Sequence, residues 1–267
     1  MSKKPEKDSL GERMKNYEEV TRGKLPQRTY TLIRVDGRAF HTFTKRFKRP
    51  FDENFVNMMN QSAIALCEEA QGCKIGFVQS DEISIIMTDF DDIKTMPWWD
   101  GIVQKICSNS ASIVTETFNK EFYIWLLAAS MNSLEFDELL GLVKLSDVIK
   151  LIKKNKGARF DSRVFTIPSP TDVINYLVWR QGDATRNSIS SVAQSLYPHS
   201  SRSQLNGKNS KQQQEMIFQK GQNWDKIPTG LKRGRAIVKV DGKWVVVDPP
   251  IFSQEWEYLT KIIPNYK

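Results

Sequence analysis

The chain has 267 residues, 40% hydrophobic and 10% aromatic, enough to bury a core in one large domain or a domain with a helical extension. No apolar run approaches the ~20 residues needed to span a bilayer, and the charged start, Met1-Ser2-Lys3-Lys4-Pro5-Glu6-Lys7-Asp8, is no signal peptide; a flexible tail over 1–16 on a cytoplasmic protein is expected. The net charge of +8 fits either a polyanionic partner, nucleic acid or nucleotide, or simply a basic solvated surface.

Three widely spaced cysteines (Cys67, Cys73, Cys107) and two histidines (His41, His199) leave a zinc site almost no ligands. Free thiols are expected, with Cys67 and Cys107 on apolar helical patterns, and any metal should be a hard cation held by carboxylates.

The first predicted element is a strand, Tyr30-Thr31-Leu32-Ile33-Arg34-Val35, ending at the turn Asp36-Gly37. After Pro50, Asp52 is a candidate N-cap, and Phe55, Met58, Met59, Ala63, Leu66 and Cys67 follow helical spacing until Gly72. Ile75 to Gln79 and Ile83 to Met87 then read as two strands joined across Ser80-Asp81-Glu82. A helix is predicted from about Trp98 to Phe118, with further helical material to about Lys154 forming an insertion over about 120–156. Lys144, Lys150, Lys153, Lys154 and Lys156 make its end basic, as a solvated helix end or an RNA-facing patch.

Ala158 to Ile167 reads as another strand, and Pro170 opens a helix carrying Val173, Ile174, Leu177 and Val178. His199 to Gln214, rich in Ser, Asn, Gln and Lys, reads as an exposed or mobile connection. Asp241-Gly242 supplies the positive φ angles of a tight turn in a hairpin over 235–248. The predicted fold is α+β: a βαββαβ, ferredoxin-like antiparallel sheet with helical additions over 17–200, then a C-terminal extension over 201–267 that carries the hairpin and packs on the same domain.

In a βαβ unit the crossover makes the first two strands parallel. A third strand returning through a tight hairpin fits antiparallel between them, which brings its turn to the sheet edge where the first strand ends. Asp36 should therefore meet Asp81 and Glu82. Carboxylates crowded together raise one another's pKa and call for a cation. Mg²⁺ suits such a site, since it takes only one or two protein carboxylates and completes its octahedron with phosphate oxygens and water. Two such ions can activate an attacking hydroxyl and neutralise a leaving pyrophosphate. Gly37 would permit close approach of a ligand, and Arg38-Ala39-Phe40-His41 could present backbone N–H groups to phosphates. Spacing alone favours two ordinary acidic turns over a metal site.

Arg34-Val35-Asp36-Gly37-Arg38-Ala39-Phe40-His41 and Gln79-Ser80-Asp81-Glu82-Ile83-Ser84 closely resemble the two signature segments of the tRNA(His) guanylyltransferase family. Phe160 to Val164, Tyr176 to Asp183, and a helix carrying Lys105 and Ser112 match in order, and the resemblance runs from about Tyr17 to Asn187 and more weakly to about Val240. It implies a polymerase-palm-like fold and addition of nucleotides to tRNA 5′ ends in the 3′-to-5′ direction, the nucleotide's 3′-OH attacking an activated 5′ phosphate. It further implies two Mg²⁺ ions on Asp36, Asp81 and the Gly37 carbonyl, with Glu82 as an auxiliary catalytic carboxylate. Asp36 to His41, Ser80, Asp81 and Lys105 would bind the nucleoside triphosphate (GTP or ATP), and Lys48 or Arg49, Arg163 and Asn187 would contact phosphate or RNA. A homotetramer is implied too.

Plainer roles stand beside these. Glu82 could be an outer group, Lys105 a solvated helix face, Arg163 the partner of a neighbouring acid and His41 a positioned core residue; Trp98, Trp99 and Trp179 read as packing rather than base stacking. The branch specific for tRNA(His) carries His-Ile-Asn-Asn-Leu-Tyr after the Trp-Arg-Gln match. Here the run is Thr185-Arg186-Asn187-Ser188-Ile189-Ser190, which is more similar to the bacterial, archaeal and phage-type members that resemble template-dependent 5′-end repair polymerases. Three other readings remain to be weighed: addition of G at position −1 of tRNA(His), a palm-type cyclase, and an RNA-binding module without chemistry.

Overall fold

The computed structural model describes residues 9–131, 145–197 and 199–265. In chain order the elements are α1 (Leu10–Glu19), β1 (Tyr30–Gly37), α2 (Phe40–Phe43), α3 (Glu53–Glu69), β2 (Cys73–Gln79), β3 (Glu82–Thr88), α4 (Val103–Met131) and α5 (Leu145–Lys154). They continue with β4 (Phe160–Ile167), α6 (Pro170–Leu196), α7 (Ser210–Gln219), α8 (Thr229–Arg233), β5 (Arg235–Val240), β6 (Lys243–Val247) and α9 (Glu257–Thr260). The strands form one six-stranded sheet in the order β4-β1-β3-β2-β5-β6, every neighbouring pair antiparallel. Its first four strands are the expected βαββαβ core, and the C-terminal hairpin extends the sheet from β2.

Helices cover both faces, so the central strands are buried on both sides and read as apolar runs rather than alternations. Ile33, Val35, Ile83 and Ile85 face α3 and α4, which supply Met58, Met59, Leu66, Phe118 and Phe122. Leu32, Phe77 and Ile86 on the other face pack against Val173 and Leu177 of α6 and against Phe252, Leu259 and Ile263. A smaller core joins the far end of α6 (Ile189, Val192) to Ile217 of α7 and Trp224.

Local chemistry explains the boundaries. Asp52 caps α3 by accepting from the Asn54 and Phe55 amides, as expected, and Pro170 occupies the first turn of α6, where a missing N–H costs nothing. Asp241 and Gly242 both have positive φ in the β5–β6 turn. Cys67, Cys73 and Cys107 are free; Cys67 is buried and the other two are half-buried.

Several expectations need correction. Residues 10–16, read as tail, belong to α1, which starts from a capping box: Ser9 accepts from the Glu12 amide while Glu12 accepts from the Ser9 amide. The connection from His199 to Gln214 contains a 3₁₀ turn (His199–Leu205) and the first half of α7, whose capping box is Asn209 with Gln212. The helix predicted from Trp98 begins only at Val103, because Trp98–Gly101 is a 3₁₀ turn in which Trp99 and Asp100 take left-handed backbone angles. That helix then runs unbroken to Met131, past Phe118. Lys144, of the basic run, lies outside the described residues, as do residues 1–8 of the tail.

Candidate active site

The pairing register sets the site. Asp36, near the end of β1, lies directly opposite Glu82 of β3 on one side and Asp161 of β4 on the other. Directly opposed residues share a sheet face, so these carboxylates gather at one corner of the face that α6 covers. Ser80 and Asp81 form the two-residue turn between β2 and β3, with Ser80 in the left-handed region (φ 47°) that non-glycine residues seldom visit. The Gly37 amide donates to the Asp81 carbonyl at 3.1 Å, which ties this turn to the end of β1. Asp36 and Asp81 are thus brought together as the strand-order argument predicts. Burial pushes the Asp81 carboxyl above its usual value; its own backbone and the Ser80 hydroxyl pull it back, and the Asp36 charge pushes it up again.

Glu82 meets cations from two elements. Its Oε1 lies 2.9 Å from Arg180 Nε on α6 and its Oε2 3.9 Å from Arg34 Nε on β1. Burial raises its pKa, while Arg180 and then Arg34 lower it. Arg180, only 3% exposed, also pairs with Asp183, which binds Arg186 at 2.6 Å. Both Glu82 oxygens therefore face guanidinium groups, leaving Asp36 and Asp81 as the carboxylates without an arginine clamp.

The loop after β1 departs from expectation in two ways. A Cβ on Gly37 would lie 2.2 Å from the Phe40 ring, so this glycine admits Phe40 rather than a ligand. Phe40 itself is buried among Phe43, Phe55, Phe118 and Phe160, and only its backbone can reach a nucleotide. The Arg38 amide is already engaged, donating to the Arg159 carbonyl at 2.8 Å. Ala39, at φ 56°, turns the chain into α2, whose first-turn amides at Phe40 and His41 have no intrahelical acceptor. His41 is exposed, not a core residue.

Two adjoining cavities form the groove. One is lined by Asp36, Asp81, Glu82 and Arg180, the other by His41, Lys48, Arg49 and Arg235; both include Gln79, Ser80, Asn187, Ser191 and Gln194. Lys48 and Arg49 both line the second cavity, so the structure does not select between them, and Asn187 reaches both cavities from α6. Arg163 stands beside Arg34 on the adjacent strand, half-exposed and 3.4 Å from Asp161, so the acidic-partner reading of this residue describes it.

Lys105 is not brought to this groove. It sits in the first turn of α4, exposed, with Nζ 5.6 Å from the Trp99 ring. Its neighbour Ile106 lines a small cavity with Thr31 and Met87, at the other end of β1, roughly 17 Å along the strand from Asp36. The packing assignment holds for Trp98, which is partly buried against the core, but not for Trp99 and Trp179, which are 43% and 51% exposed. Trp179 instead carries the Arg180 guanidinium 4.1 Å from its ring centroid.

Gln79, Arg180 and Asp183 line the groove and Arg34 flanks Glu82, and sequence reasoning gave none of the four a role. Two signals were present: Arg34 is a charge on an otherwise apolar strand, two residues from Asp36 and hence on its face, and Arg180 and Asp183 have helical i, i+3 spacing. Among the described residues no group of three or more His, Cys, Asp or Glu is arranged to hold a metal. The donor set at the corner is smaller: two carboxylates, crowded enough that one raises the pKa of the other, plus nearby carbonyl oxygens. Hard oxygen donors in that number fit Mg²⁺ and do not fit a soft transition metal.

Over 96% of its length the chain superposes on 99% of a bacterial tRNA(His) guanylyltransferase (Thg1)-like protein solved in complex with ATP, with TM-score 0.80 and 35% identity. A second such protein, in complex with GTP, gives TM-score 0.72 and 31% identity over the same shares of each chain. The probable tRNA(His) guanylyltransferase of Drosophila melanogaster is 26% identical over 89% of this chain and 79% of its own. The family model described as "Thg1: tRNAHis guanylyltransferase" matches residues 11–168, more than half of the chain, and the protein belongs to this family of nucleotidyltransferases.

Proposed function

We propose that the protein extends the 5′ ends of tRNA or tRNA-like RNA in the 3′-to-5′ direction, choosing each nucleotide by pairing with the opposite strand and so repairing truncated ends. The observation that carries this is the convergence of Asp36 and Asp81 at one sheet corner, opening into a groove whose far wall bears Lys48 and Arg49. Asp36, Asp81 and the Gly37 carbonyl would hold two Mg²⁺, which when bound neutralise phosphate charge and lower the pKa of the attacking hydroxyl.

The chain's own residues do the rest. Lys48 and Arg49 draw phosphate oxygens to the far wall, where charge is little screened inside a groove. The amides of Phe40 and His41 and the Ser80 hydroxyl contact the nucleoside triphosphate, GTP or ATP. Arg180 and Arg34 hold Glu82 in place, so its auxiliary role is to shape the wall beside the reacting groups. Asn187 and its neighbours on α6 offer hydrogen bonds without charge, and Arg163 gives an outer contact to RNA. Lys105, remote from this groove, would reach a nucleotide only where another copy supplies the site, and the assembly proposed is a homotetramer. A cytoplasmic location suits such a substrate, and no helix among the described residues is long and apolar enough to cross a membrane.

The segment Thr185 to Ser190, lacking the His-Ile-Asn-Asn-Leu-Tyr run, favours general repair over addition of a single G to tRNA(His). Incubation of the protein with 5′-truncated tRNA, labelled nucleotides and Mg²⁺, beside Asp36→Asn and Asp81→Asn, tests the reading. Templated 5′ extension by the wild type, reduced at least a hundredfold in both variants, is expected. Extension at 3′ ends, undiminished variants, or addition restricted to one G on tRNA(His) would overturn it. Light scattering should give four times the 30.8 kDa chain mass.

A further inference from the structure

Gln79 ends β2 and is paired in register with Glu82 across the hairpin. Its side chain is 5% exposed, yet it lines both cavities of the groove, the one with Asp36 and Asp81 and the one with Lys48 and Arg49. Residues directly opposed across a hairpin share a sheet face, so the Gln79 amide stands beside the Glu82 carboxylate. With both oxygens turned to guanidinium groups, Glu82 offers acceptors, so the nitrogen is the end of the Gln79 amide that suits it. That fixes the amide's orientation and turns Oε1 the other way. Oε1 is buried and, among the described residues, accepts no hydrogen bond. Because Glu82 is itself gripped by Arg180 and Arg34, the orientation is enforced from two elements.

A buried acceptor without a donor is costly, and native structures rarely keep one without a use. The group that satisfies it must donate. Triphosphate oxygens only accept, and the groove already carries cations for them. The donors on a nucleoside triphosphate are its sugar hydroxyls and base N–H groups. If the 3′-OH is to react beside Asp36 and Asp81, the sugar lies in the cavity that Gln79 lines, and the adjoining hydroxyl is the 2′-OH.

We propose that Gln79 Oε1 accepts a hydrogen bond from the ribose 2′-hydroxyl of the bound nucleotide, making Gln79 the residue that selects ribo- over deoxyribonucleotides. This rests on the nucleotide-addition reading above.

Equilibrium binding of ATP, 2′-deoxy-ATP and 3′-deoxy-ATP, with Mg²⁺ and without RNA, separates the two. The wild type should bind ATP roughly tenfold more tightly than 2′-deoxy-ATP, the usual weight of a buried hydrogen bond. Gln79→Met should bring that ratio near one by weakening ATP alone, and Gln79→Asn, whose acceptor is set back, should fall between. A wild-type ratio near one overturns the inference whether or not the variants fold. So does a folded Gln79→Met that keeps the ratio, or a wild type whose Gln79-dependent discrimination is against 3′-deoxy-ATP. Absence of binding to any of the three nucleotides overturns the inference and the nucleotide-addition reading together.

Discussion

Asp81 sits in a half-buried turn beside Asp36, and its carboxyl is held above the usual range, first by burial. A carboxyl with a raised pKa binds its proton more tightly in the folded state than in the unfolded one. Its protonated form supports the fold at low pH, and that support is lost as pH rises through the folded pKa. Removal of the charge should therefore stabilise the cation-free protein at neutral pH while abolishing activity. Asp81→Asn is expected to raise the melting temperature by roughly 1–3 °C at pH 7, with the gain disappearing near pH 3 to 4, where the aspartate too is neutral. A scan of melting temperature against pH, with and without Mg²⁺, checks this. Arg180 has the opposite weight: Arg180→Met leaves Glu82 only the more distant Arg34 and should cost about 3 kcal/mol in urea unfolding, with Glu82→Gln in the same chain recovering part of it. Asp36 and Asp81 were legible in the sequence because each ends a recognisable strand or turn. Arg34, Gln79 and Arg180 were not, because their roles depend on cross-strand register and on which side of α6 faces the sheet.

The elements divide by how they are held. β1, α3, the β2–β3 hairpin and the C-terminal hairpin announce themselves through apolar pattern and turn residues, and all are found close to their predicted positions. α1 and α7 escaped, since their polar composition resembles a linker and only the Ser9–Glu12 and Asn209–Gln212 pairs mark their starts. Asn209→Ala should accordingly lower stability by about 1 kcal/mol, read by chemical unfolding, with little effect on nucleotide binding because α7 is away from Asp36. Between β1 and α2 the requirement is steric. Gly37→Ala puts a methyl group into the space of the Phe40 ring, which must shift within an aromatic cluster. A loss of about 1–3 kcal/mol is expected, with a larger drop in turnover, because the α2 amides move with Phe40.

At the scale of the molecule, the sheet was legible and its lid was not. Sequence order implied a palm-like core with a C-terminal extension, but Phe252 and Ile263 stand outside regular elements and Leu259 in the single turn of α9, too short for a periodicity, so nothing in the pattern says that they cover Leu32 and Phe77. The Tyr30 hydroxyl donates to the Pro264 carbonyl at 2.7 Å, joining the first strand to this lid. A chain ending at Asp248 should melt at least ~10 °C lower or be recovered insoluble, and dye binding to exposed apolar surface should report it.

That bond between Tyr30 and Pro264 also bears on how the protein is made. Asp36, Asp81 and Glu82 leave the ribosome early, and their corner of the sheet can pair at once. Arg180, which steadies Glu82, emerges about a hundred residues later, and the cover over Leu32 and Phe77 later still. Until α6 has been made, the acidic corner and the apolar face that carries Leu32 and Phe77 have no cover on that side of the sheet. The cover over Leu32 and Phe77 closes only when residues 252–264 fold back onto a strand made more than two hundred residues earlier.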